Sequence, residues 1–184
     1  MNMIEKAFRV AGEAHDGQYR KLTKTPYITH PATVGIILQK YGYGEELIAA
    51  GILHDTAEDT DVTLEMIEMD FGSKVAEIVA GCSEPDKSLS WEERKEHTIE
   101  FLKGAPIEIR AVACADKLHN VRSIRYDVEK SGEEVWNRFK RGREKQEWYY
   151  RSLVESLGQQ SSFEMLDEFA REVELLFGRR REEA

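Results

Sequence analysis

Cysteine, proline and strand-like alternation are all scarce in this sequence. Among its 184 residues there are two cysteines and four prolines. The cysteines, Cys82 and Cys114, lie within apolar helical patterns and lack metal-ligand spacing, so we expect small buried thiols in a reducing compartment. Alternating apolar and polar residues, the pattern of a half-buried strand, are almost absent. These shortages favour an all-α fold.

Positive charge and long apolar runs are scarce as well. The formal net charge is −9, which argues against a general nucleic-acid surface because such surfaces are normally basic. No charged-then-apolar leader opens the chain, and no apolar run has the length of a membrane span. We therefore expect a cytoplasmic protein with neither nucleic-acid nor membrane partners. The length suits a single domain over 1–184, and the sequence does not specify an oligomeric state.

Apolar residues recur at helical spacing along nearly the whole chain. A polar connection over 22–29 contains Pro26, which excludes a continuous helix there. The stretch 83–88 has loop composition, and the basic tail 179–183 is expected to fray. Helices are predicted within 3–19 (ending near Gly17) and over 31–40, 45–58, 64–70, 73–81, 91–103, 107–124, 133–157 and 163–177. The expected fold is a bundle of about eight to ten helices.

The stretch LHDTAEDT, residues 53–60, is the most unusual in the sequence. It ends the segment 46–53, which is apolar nearly all round and predicts a helix buried on most sides. Four ionisable side chains follow, paired at four-residue spacing on neighbouring helical stripes: His54, Asp55, Glu58 and Asp59. Burying even a neutral polar group without compensation costs about 2–7 kcal/mol. The pattern therefore indicates a cation or a substrate among these groups.

Two further residues have the chemistry of metal ligands. His30 precedes Pro31, which favours the first turn of a helix, so the imidazole lies at a helix end. Asp116 interrupts the apolar run 111–115. Two imidazoles and two carboxylates, from His30, His54, Asp55 and Asp116, suit Mn²⁺ or Fe²⁺ more than Zn²⁺. The residues alone leave ordinary alternatives open, a polar helix cap at His30 and an arginine-held carboxylate at Asp116.

These residues resemble the H…HD…D pattern of the HD superfamily of metal-dependent phosphohydrolases. The finer match is to the (p)ppGpp-hydrolase domain of RelA/SpoT proteins, above all to the small stand-alone alarmone hydrolases. Its motifs occur in order: AHxGQxRK at 14–21, TPYxxHP at 25–31, LHDTxEDT at 53–60, FG at 71–72 and ADKLHNxR at 115–122. The match is clear over 14–122, and the helices of 133–177 are expected to complete the bundle.

The resemblance implies an HD-domain bundle and hydrolysis of the 3′-pyrophosphate of (p)ppGpp to give GDP or GTP and pyrophosphate. It also implies one Mn²⁺ per chain, held by His30, His54, Asp55 and Asp116. Glu58 and Asp59, one turn from the ligands, would orient or deprotonate water and pass a proton to the leaving group. The ordinary alternative is that these two carboxylates repel each other at a solvated helix end. The length leaves no room for the synthetic and regulatory regions of long RelA/SpoT proteins, so we expect hydrolysis only.

Four residues are expected to contact the nucleotide substrate: Arg20, Lys21, Asn120 and Tyr149, with Tyr150 as the alternative to Tyr149. The Arg20 guanidinium can stack on guanine, whereas Lys21 supplies a point charge. For both, a solvated charged pair is the ordinary alternative.

The chain departs from the family pattern at Lys24, at Ser83-Glu84 and at Trp91, where the phosphate tail is expected to run. A second hypothesis is therefore an HD phosphatase acting on another nucleotide, such as a dNTP or the 2′-phosphate of NADPH. A third is a nucleotide-binding module without catalysis.

Overall fold

The computed structural model describes residues 1–21, 23–84 and 88–179. These residues form α1 (Met3–Ala14), α2 (Thr29–Lys40), α3 (Glu45–Leu53), α4 (Thr56–Asp59), α5 (Leu64–Phe71), α6 (Ser73–Cys82), α7 (Trp91–Gly104), α8 (Ile107–Ser131), a 3₁₀ helix (Gly132–Arg138), α9 (Gly142–Gly158) and α10 (Glu164–Phe177). Pro26 of the predicted connection and Tyr19, which precedes it, form an isolated antiparallel bridge. The all-α prediction is confirmed.

Some predicted irregular segments lie partly outside the described residues. These are Leu22 of the connection, 85–87 of the loop 83–88 and 180–183 of the basic tail. Within the described ranges, each helix is too short or too polar to cross a bilayer.

Helices α2 and α3 pack closely at two glycines, where an added Cβ atom would force a side chain of the other helix to move. A Cβ atom on Gly35 would lie 2.6 Å from Cγ1 of Ile52. A Cβ atom on Gly51 would lie 2.4 Å from Cδ1 of Leu38. Real Cβ atoms do not approach other heavy atoms so closely, so the two glycines set the distance between the helices.

This helix pair brings the two candidate histidine ligands together. Residues 47–53 of α3 are all buried, as the apolar segment predicted. The short turn 41–44 reverses the chain, so the start of α2 and the end of α3 lie at the same end of the pair. The rings of His30 and His54 consequently meet edge to face, with centroids 5.2 Å apart.

Helix α8 carries Asp116 into the same region. It packs against α2, α3, α6 and α10, and its residues 110–116 are buried. Small side chains at Ala111, Ala113 and Ala115 allow close approach of the neighbouring helices. Asp116 follows this apolar run and is 8% exposed, so its carboxylate has to find partners inside the bundle.

The predicted helix 45–58 is divided after Leu53, which corrects the sequence-based boundary. At this point Oγ1 of Thr56 donates to the Leu53 carbonyl at 2.7 Å. The ring of His54 bonds the Gly51 carbonyl through Nδ1 at 2.8 Å. Side-chain bonds to helix carbonyls compete with the regular backbone ladder. The interruption therefore coincides with the residues that carry the chemistry.

Three other boundaries differ from prediction by more than two residues. The first helix ends at Ala14, because the chain turns at the C-cap residue His15. The helix predicted to end near residue 124 continues to Ser131. The helix predicted over 133–157 is wrong in its first part, where a 3₁₀ helix buries Trp136 against Phe177 at a centroid distance of 5.5 Å. Tertiary packing overrides the local helical pattern there.

Candidate active site

Three chain segments converge at one end of the α2–α3 pair. Ligand atoms of His30, His54 and Asp116 lie within 4.8 Å of one another, and all three residues are buried. The fourth predicted ligand, Asp55, places Oδ2 3.1 Å from Nε2 of His54 and 3.5 Å from Nε2 of His30. These four residues are called the metal-ligand cluster below.

His54 leaves one ring nitrogen available for a metal. Its Nδ1–H donates to the Gly51 carbonyl, so Nε2 is the atom that offers a lone pair to a metal once its proton is displaced. Nε2 is buried and makes no regular hydrogen bond to any described residue, and Oδ2 of Asp55 lies 3.1 Å away as an ion-pair partner. A buried polar atom without a regular hydrogen bond requires an explanation. A cation bound at Nε2 provides one.

His30 is held from behind by a second histidine. Nδ1 of His30 and Nδ1 of His119 are 2.6 Å apart, and the two rings stack with centroids 4.9 Å apart. Nε2 of His30 points the other way and lies 3.1 Å from Oδ1 of Asp116. When Nδ1–H of His30 donates to His119, Nε2 becomes the acceptor that a metal requires. Ligating histidines typically have such an outer partner.

Asp55 is oriented by a tyrosine of the connection before α2. The hydroxyl of Tyr27 donates to Oδ2 of Asp55 at 2.7 Å. Burial and the neighbouring Asp55 raise the pKa of Tyr27, so the hydroxyl keeps its proton and remains a donor. The Tyr27 ring in turn packs against His15 at a centroid distance of 4.8 Å.

Asp116 is held on both sides by its own helix. Nζ of Lys117 lies 2.7 Å from Oδ2, and the Asn120 amide donates to Oδ1 at 2.6 Å. The Asn120 side chain also accepts a hydrogen bond from Nη2 of Arg20 at 2.9 Å. Two predicted substrate residues, Arg20 and Asn120, are thereby linked to a predicted metal ligand.

The electrostatics of the cluster favour positive charge. Burial lowers the pKa of His54, but the carboxylates of Asp55 and Asp116 outweigh it and raise the pKa to about 9. Burial would raise the pKa of Asp116, but Lys117 and the histidines hold it well below its usual value. Both carboxylates are therefore ionised near neutral pH, and without a metal their adjacent cations are Lys117 and the protonated His54. A bound metal ion would take the place of the His54 proton. A divalent ion suits this balance better than an empty buried pair of carboxylates.

Glu58 and Asp59 lie on α4, directly after the cluster. The backbone N–H of Glu84 donates to Oε2 of Glu58 at 3.1 Å. The Gln18 amide donates to the Asp59 carbonyl at 3.1 Å. Both predicted catalytic residues are thus tied to segments distant in sequence, which fixes the position of α4 beside the ligands.

A cavity of about 570 Å³ opens beside His119 and contains three of the predicted substrate residues. Its lining includes Arg20, Lys21, Tyr27, Asn120, Arg138 and Tyr150. Its volume matches a nucleotide-sized ligand. Tyr150 is the tyrosine that lines this cavity, whereas Tyr149 packs against Trp91 at a centroid distance of 6.1 Å.

Two more cavities lie near the cluster, one at His54 and Asp116 and one at Glu58. One, of about 330 Å³, is lined by His54, Asp116, Lys117 and Glu84, among others. The other, of about 580 Å³, is lined by Glu58 and again by Glu84. His54 and Asp116 of the metal-ligand cluster therefore line a second cavity, and Glu58 lines a third, in addition to the nucleotide-sized cavity beside His119.

Residue-level reasoning assigned no role to Tyr27, Lys117 or His119. Each contacts a candidate ligand, namely Asp55, Asp116 and His30 respectively. All three lie within the motifs TPYxxHP and ADKLHNxR, so their position beside a ligand was the available signal. Spacing alone could not show which ligand each one contacts, because two of the three contacts join different helices or loops.

Comparison with known proteins agrees with this geometry. A family model described as "HD domain" matches residues 7–146. The chain is 40% identical over 128 residues to a protein of Synechocystis named probable guanosine-3′,5′-bis(diphosphate) 3′-pyrophosphohydrolase. It is 37% identical over 127 residues to the bifunctional (p)ppGpp synthase/hydrolase SpoT of Escherichia coli. These alignments cover 66% of the chain but only 17% and 18% of the two relatives.

Two solved structures resemble the chain over most of their length. A crystal structure of a Listeria monocytogenes protein is 40% identical with a TM-score of 0.76, covering 82% of this chain and 99% of that one. A metazoan ortholog of SpoT, described as hydrolysing ppGpp, is 29% identical with a TM-score of 0.77, covering 96% and 98%. With the match over 7–146 and the buried His/Asp cluster, these likenesses show that the chain belongs to the HD-domain family of metal-dependent phosphohydrolases.

Proposed function

We propose that this protein hydrolyses the 3′-pyrophosphate of (p)ppGpp, giving GDP or GTP and pyrophosphate. The observation that carries the proposal is the metal-ligand cluster, whose buried His54 Nε2 makes no regular hydrogen bond to any described residue, next to a nucleotide-sized cavity and the carboxylate of Glu58. The relatives named as (p)ppGpp hydrolases support this choice of substrate. A cytoplasmic location is part of the proposal.

The proposed metal is one Mn²⁺ per chain, held by His30, His54, Asp55 and Asp116. Two imidazoles and two carboxylates without a thiolate fit a borderline-to-hard divalent ion. When bound, such an ion supplies Lewis-acid chemistry, in that it acidifies water and polarises a phosphoryl oxygen. The outer partners Tyr27, His119 and Asn120 keep the ligand atoms pointed at the common centre.

In the proposed reaction, water adds to the phosphorus that is attached to the 3′ oxygen of the nucleotide. The bond between that phosphorus and the 3′ oxygen breaks, so the 3′ oxygen of the nucleotide is the leaving group and pyrophosphate is released with the oxygen of the attacking water. Glu58 accepts a proton from the attacking water, and Asp59 helps to pass a proton to the 3′ oxygen, which becomes a hydroxyl. A positioned general acid or base of this kind contributes roughly 10²–10⁴-fold in rate.

The 570 Å³ cavity is the proposed site of the nucleoside. Arg20 would stack on guanine, and its bond to Asn120 holds the guanidinium plane in place. Lys21 would add a point charge for phosphate. Tyr150, which lines the cavity, and Tyr149, which packs beside it, both remain predictions as substrate contacts.

The test is a substrate panel with purified protein and Mn²⁺. Candidates are ppGpp, NADPH, dNTPs and cyclic dinucleotides, with pyrophosphate and orthophosphate assayed separately. We expect pyrophosphate release from ppGpp. This activity should be lost when a chelator removes the metal and should return when Mn²⁺ is added back. Orthophosphate release from NADPH, with ppGpp untouched, would instead favour the second hypothesis of a phosphatase acting on another nucleotide.

A further inference from the structure

Glu84 lies between two cations from α7. Its Oε2 is 2.9 Å from Nη1 of Arg94, and its Oε1 is 2.5 Å from Nζ of Lys95. The side chains of Glu84, Arg94 and Lys95 are only 15%, 23% and 17% exposed. At this burial an arginine–lysine pair without a counter-anion is costly, and Glu84 supplies that anion.

The pair still has unused capacity to bind an anion. Nε of Arg94 is buried and makes no hydrogen bond to any described residue. Lys95 is further held over the ring of Tyr149, 5.0 Å from its centroid. Burial would raise the pKa of Glu84, but Lys95 and Arg94 hold it below its usual value. The carboxylate is therefore charged near neutral pH and occupies the pair as an anionic ligand would.

Glu84 also separates these cations from the candidate active site. It lines both the 330 Å³ cavity beside His54 and the 580 Å³ cavity beside Glu58. Arg94 and Lys95 are absent from the described linings of both cavities. The backbone N–H of Glu84 donates to Oε2 of Glu58. The residue whose side chain binds the two cations therefore also contacts the proposed catalytic carboxylate through its backbone.

We propose that Arg94 and Lys95 form an anion site for a phosphoryl group, which Glu84 occupies as an internal ligand. A phosphate or pyrophosphate then reaches the pair only by displacing the Glu84 carboxylate. Carboxylate and phosphate bind arginine with similar geometry, so a phosphate can replace the Glu84 carboxylate without a change in the positions of the two cations. Only the identification of this anion with a nucleotide phosphate or the released pyrophosphate rests on the proposed function. Glu84 thereby sets how strongly the site holds phosphorylated groups.

The test is the substitution Glu84→Gln, which removes the charge and keeps the size. Calorimetry with inorganic pyrophosphate, on metal-loaded protein at fixed free Mn²⁺, should show binding about tenfold tighter than in the wild type, as expected for charge-assisted bonds that become available. The gain should shrink as salt is added. Glu92→Gln is the matched control, because Glu92 pairs with Arg141 at 2.8 Å and lines none of the three cavities as described.

In Glu84→Gln, Arg94 and Lys95 lose their counter-anion, which could destabilise the fold. The double variant E84Q/R94Q removes one of these cations and tests the same proposal if Glu84→Gln does not fold. It retains one cation, so the expected gain is about threefold, intermediate between wild type and Glu84→Gln. Circular dichroism confirms folding in each case. Folded variants that bind pyrophosphate no tighter than wild type, with an unchanged KM for ppGpp, overturn the proposal.

The remaining outcomes show which anion the site binds. A lower KM for ppGpp in Glu84→Gln shows that the nucleotide's own phosphate uses the site, whereas a gain confined to inorganic pyrophosphate assigns it to the product. Pyrophosphate binding needs no turnover, so a gain without ppGpp hydrolysis contradicts only the proposed function. Normal hydrolysis without any gain contradicts only the anion site.

Discussion

Two clusters of carboxylates in this protein balance their charge in different ways. Between α8 and α10, Glu168 and Glu172 meet three cations, Lys40, Arg122 and Arg125. Lys40 lies 3.0 Å from Glu168, and Arg125 lies 2.8 Å from Glu172. Arg122 pairs with both carboxylates. These five residues are called the ion-pair cluster here. The negative charge of its two carboxylates is balanced by side chains of the protein itself.

The metal-ligand cluster is not neutralised in the same way. Its two carboxylates, from Asp55 and Asp116, have one permanent cation beside them, Lys117, and otherwise depend on a proton at His54, whose pKa they raise to about 9. His54 Nε2 is left without a hydrogen bond in the described part of the chain. An ion-pair cluster of permanent charges holds helices together, whereas a cluster balanced in part by an exchangeable proton on a buried imidazole is prepared for a metal ion from outside.

Removal of a ligand should have the largest effect. Asp116→Ala takes away a carboxylate that lies within reach of both imidazoles, so we expect loss of the bound metal and no measurable ppGpp hydrolysis. Metal content by mass spectrometry and pyrophosphate release are the measurements. Glu168→Gln, the corresponding change in the ion-pair cluster, should keep the metal. Full metal occupancy and turnover in Asp116→Ala would remove that residue from the ligand set.

Glu58→Gln should separate chemistry from binding. Because Glu58 is assigned to proton transfer and not to ligation, kcat should fall by roughly 10²–10⁴ while metal content and substrate affinity stay as in the wild type. Steady-state kinetics and calorimetry with ppGpp measure the two effects separately. An unchanged kcat with a weakened KM would contradict the role of Glu58 as a proton carrier.

His119→Ala should weaken the cluster without deleting a ligand. His119 bonds His30 and fixes which ring nitrogen faces the centre, and loss of such an outer partner costs about 10–100-fold in metal affinity. Competition with a metal-binding dye measures this change. Ser123→Ala is the control, because its hydroxyl is 3.4 Å from His119 and does not touch the cluster. Equal metal affinity in wild type and His119→Ala would show that His30 needs no support.

Glu168→Gln should have the smallest effect and a different character. Burial would raise the pKa of Glu168, but Tyr41, Lys40 and Arg122 lower it overall. A carboxylate whose pKa is lower in the folded state stabilises the fold at pH values above its unfolded pKa, here about 4.5. This contribution is lost as the pH falls through the folded pKa. The variant should lose about 1 kcal/mol of stability at neutral pH and show a flatter decline in acid.

Urea unfolding at pH 7 and pH 4 measures that difference. Glu129→Gln is the control, since Glu129 is 59% exposed and pairs only across one helical turn with Arg125; its loss should be about 0.3–0.5 kcal/mol. A Glu168→Gln variant as stable as wild type at both pH values would show that the ion-pair cluster contributes no net stability.

The site could be predicted from sequence to the level of residue type but not of contact. His30, His54, Asp55 and Asp116 were proposed as ligands from chemistry and motif, and the structure brings them together. The bonds from Tyr27 to Asp55 and from His119 to His30 span 28 and 89 residues. No local pattern encodes such pairs, because they depend on how the helices cross.

The sequence by itself determined the helical class, most helix positions and the chemistry of the ligands. Helical periodicity is a local property, and so are caps such as Thr63 at the start of α5 and the Ser90–Glu93 capping box of α7. Most helices therefore lie close to where the periodicity predicts them. The single domain over 1–184 stays a prediction. Only the tertiary structure decided that Trp136 lies in a 3₁₀ helix and that Tyr150 lines the nucleotide-sized cavity. The same is true of the ion pairs between Glu84 and two cations of α7. Those outcomes depend on which surfaces become buried together, and the free energy of that burial outweighs the propensity of any single segment.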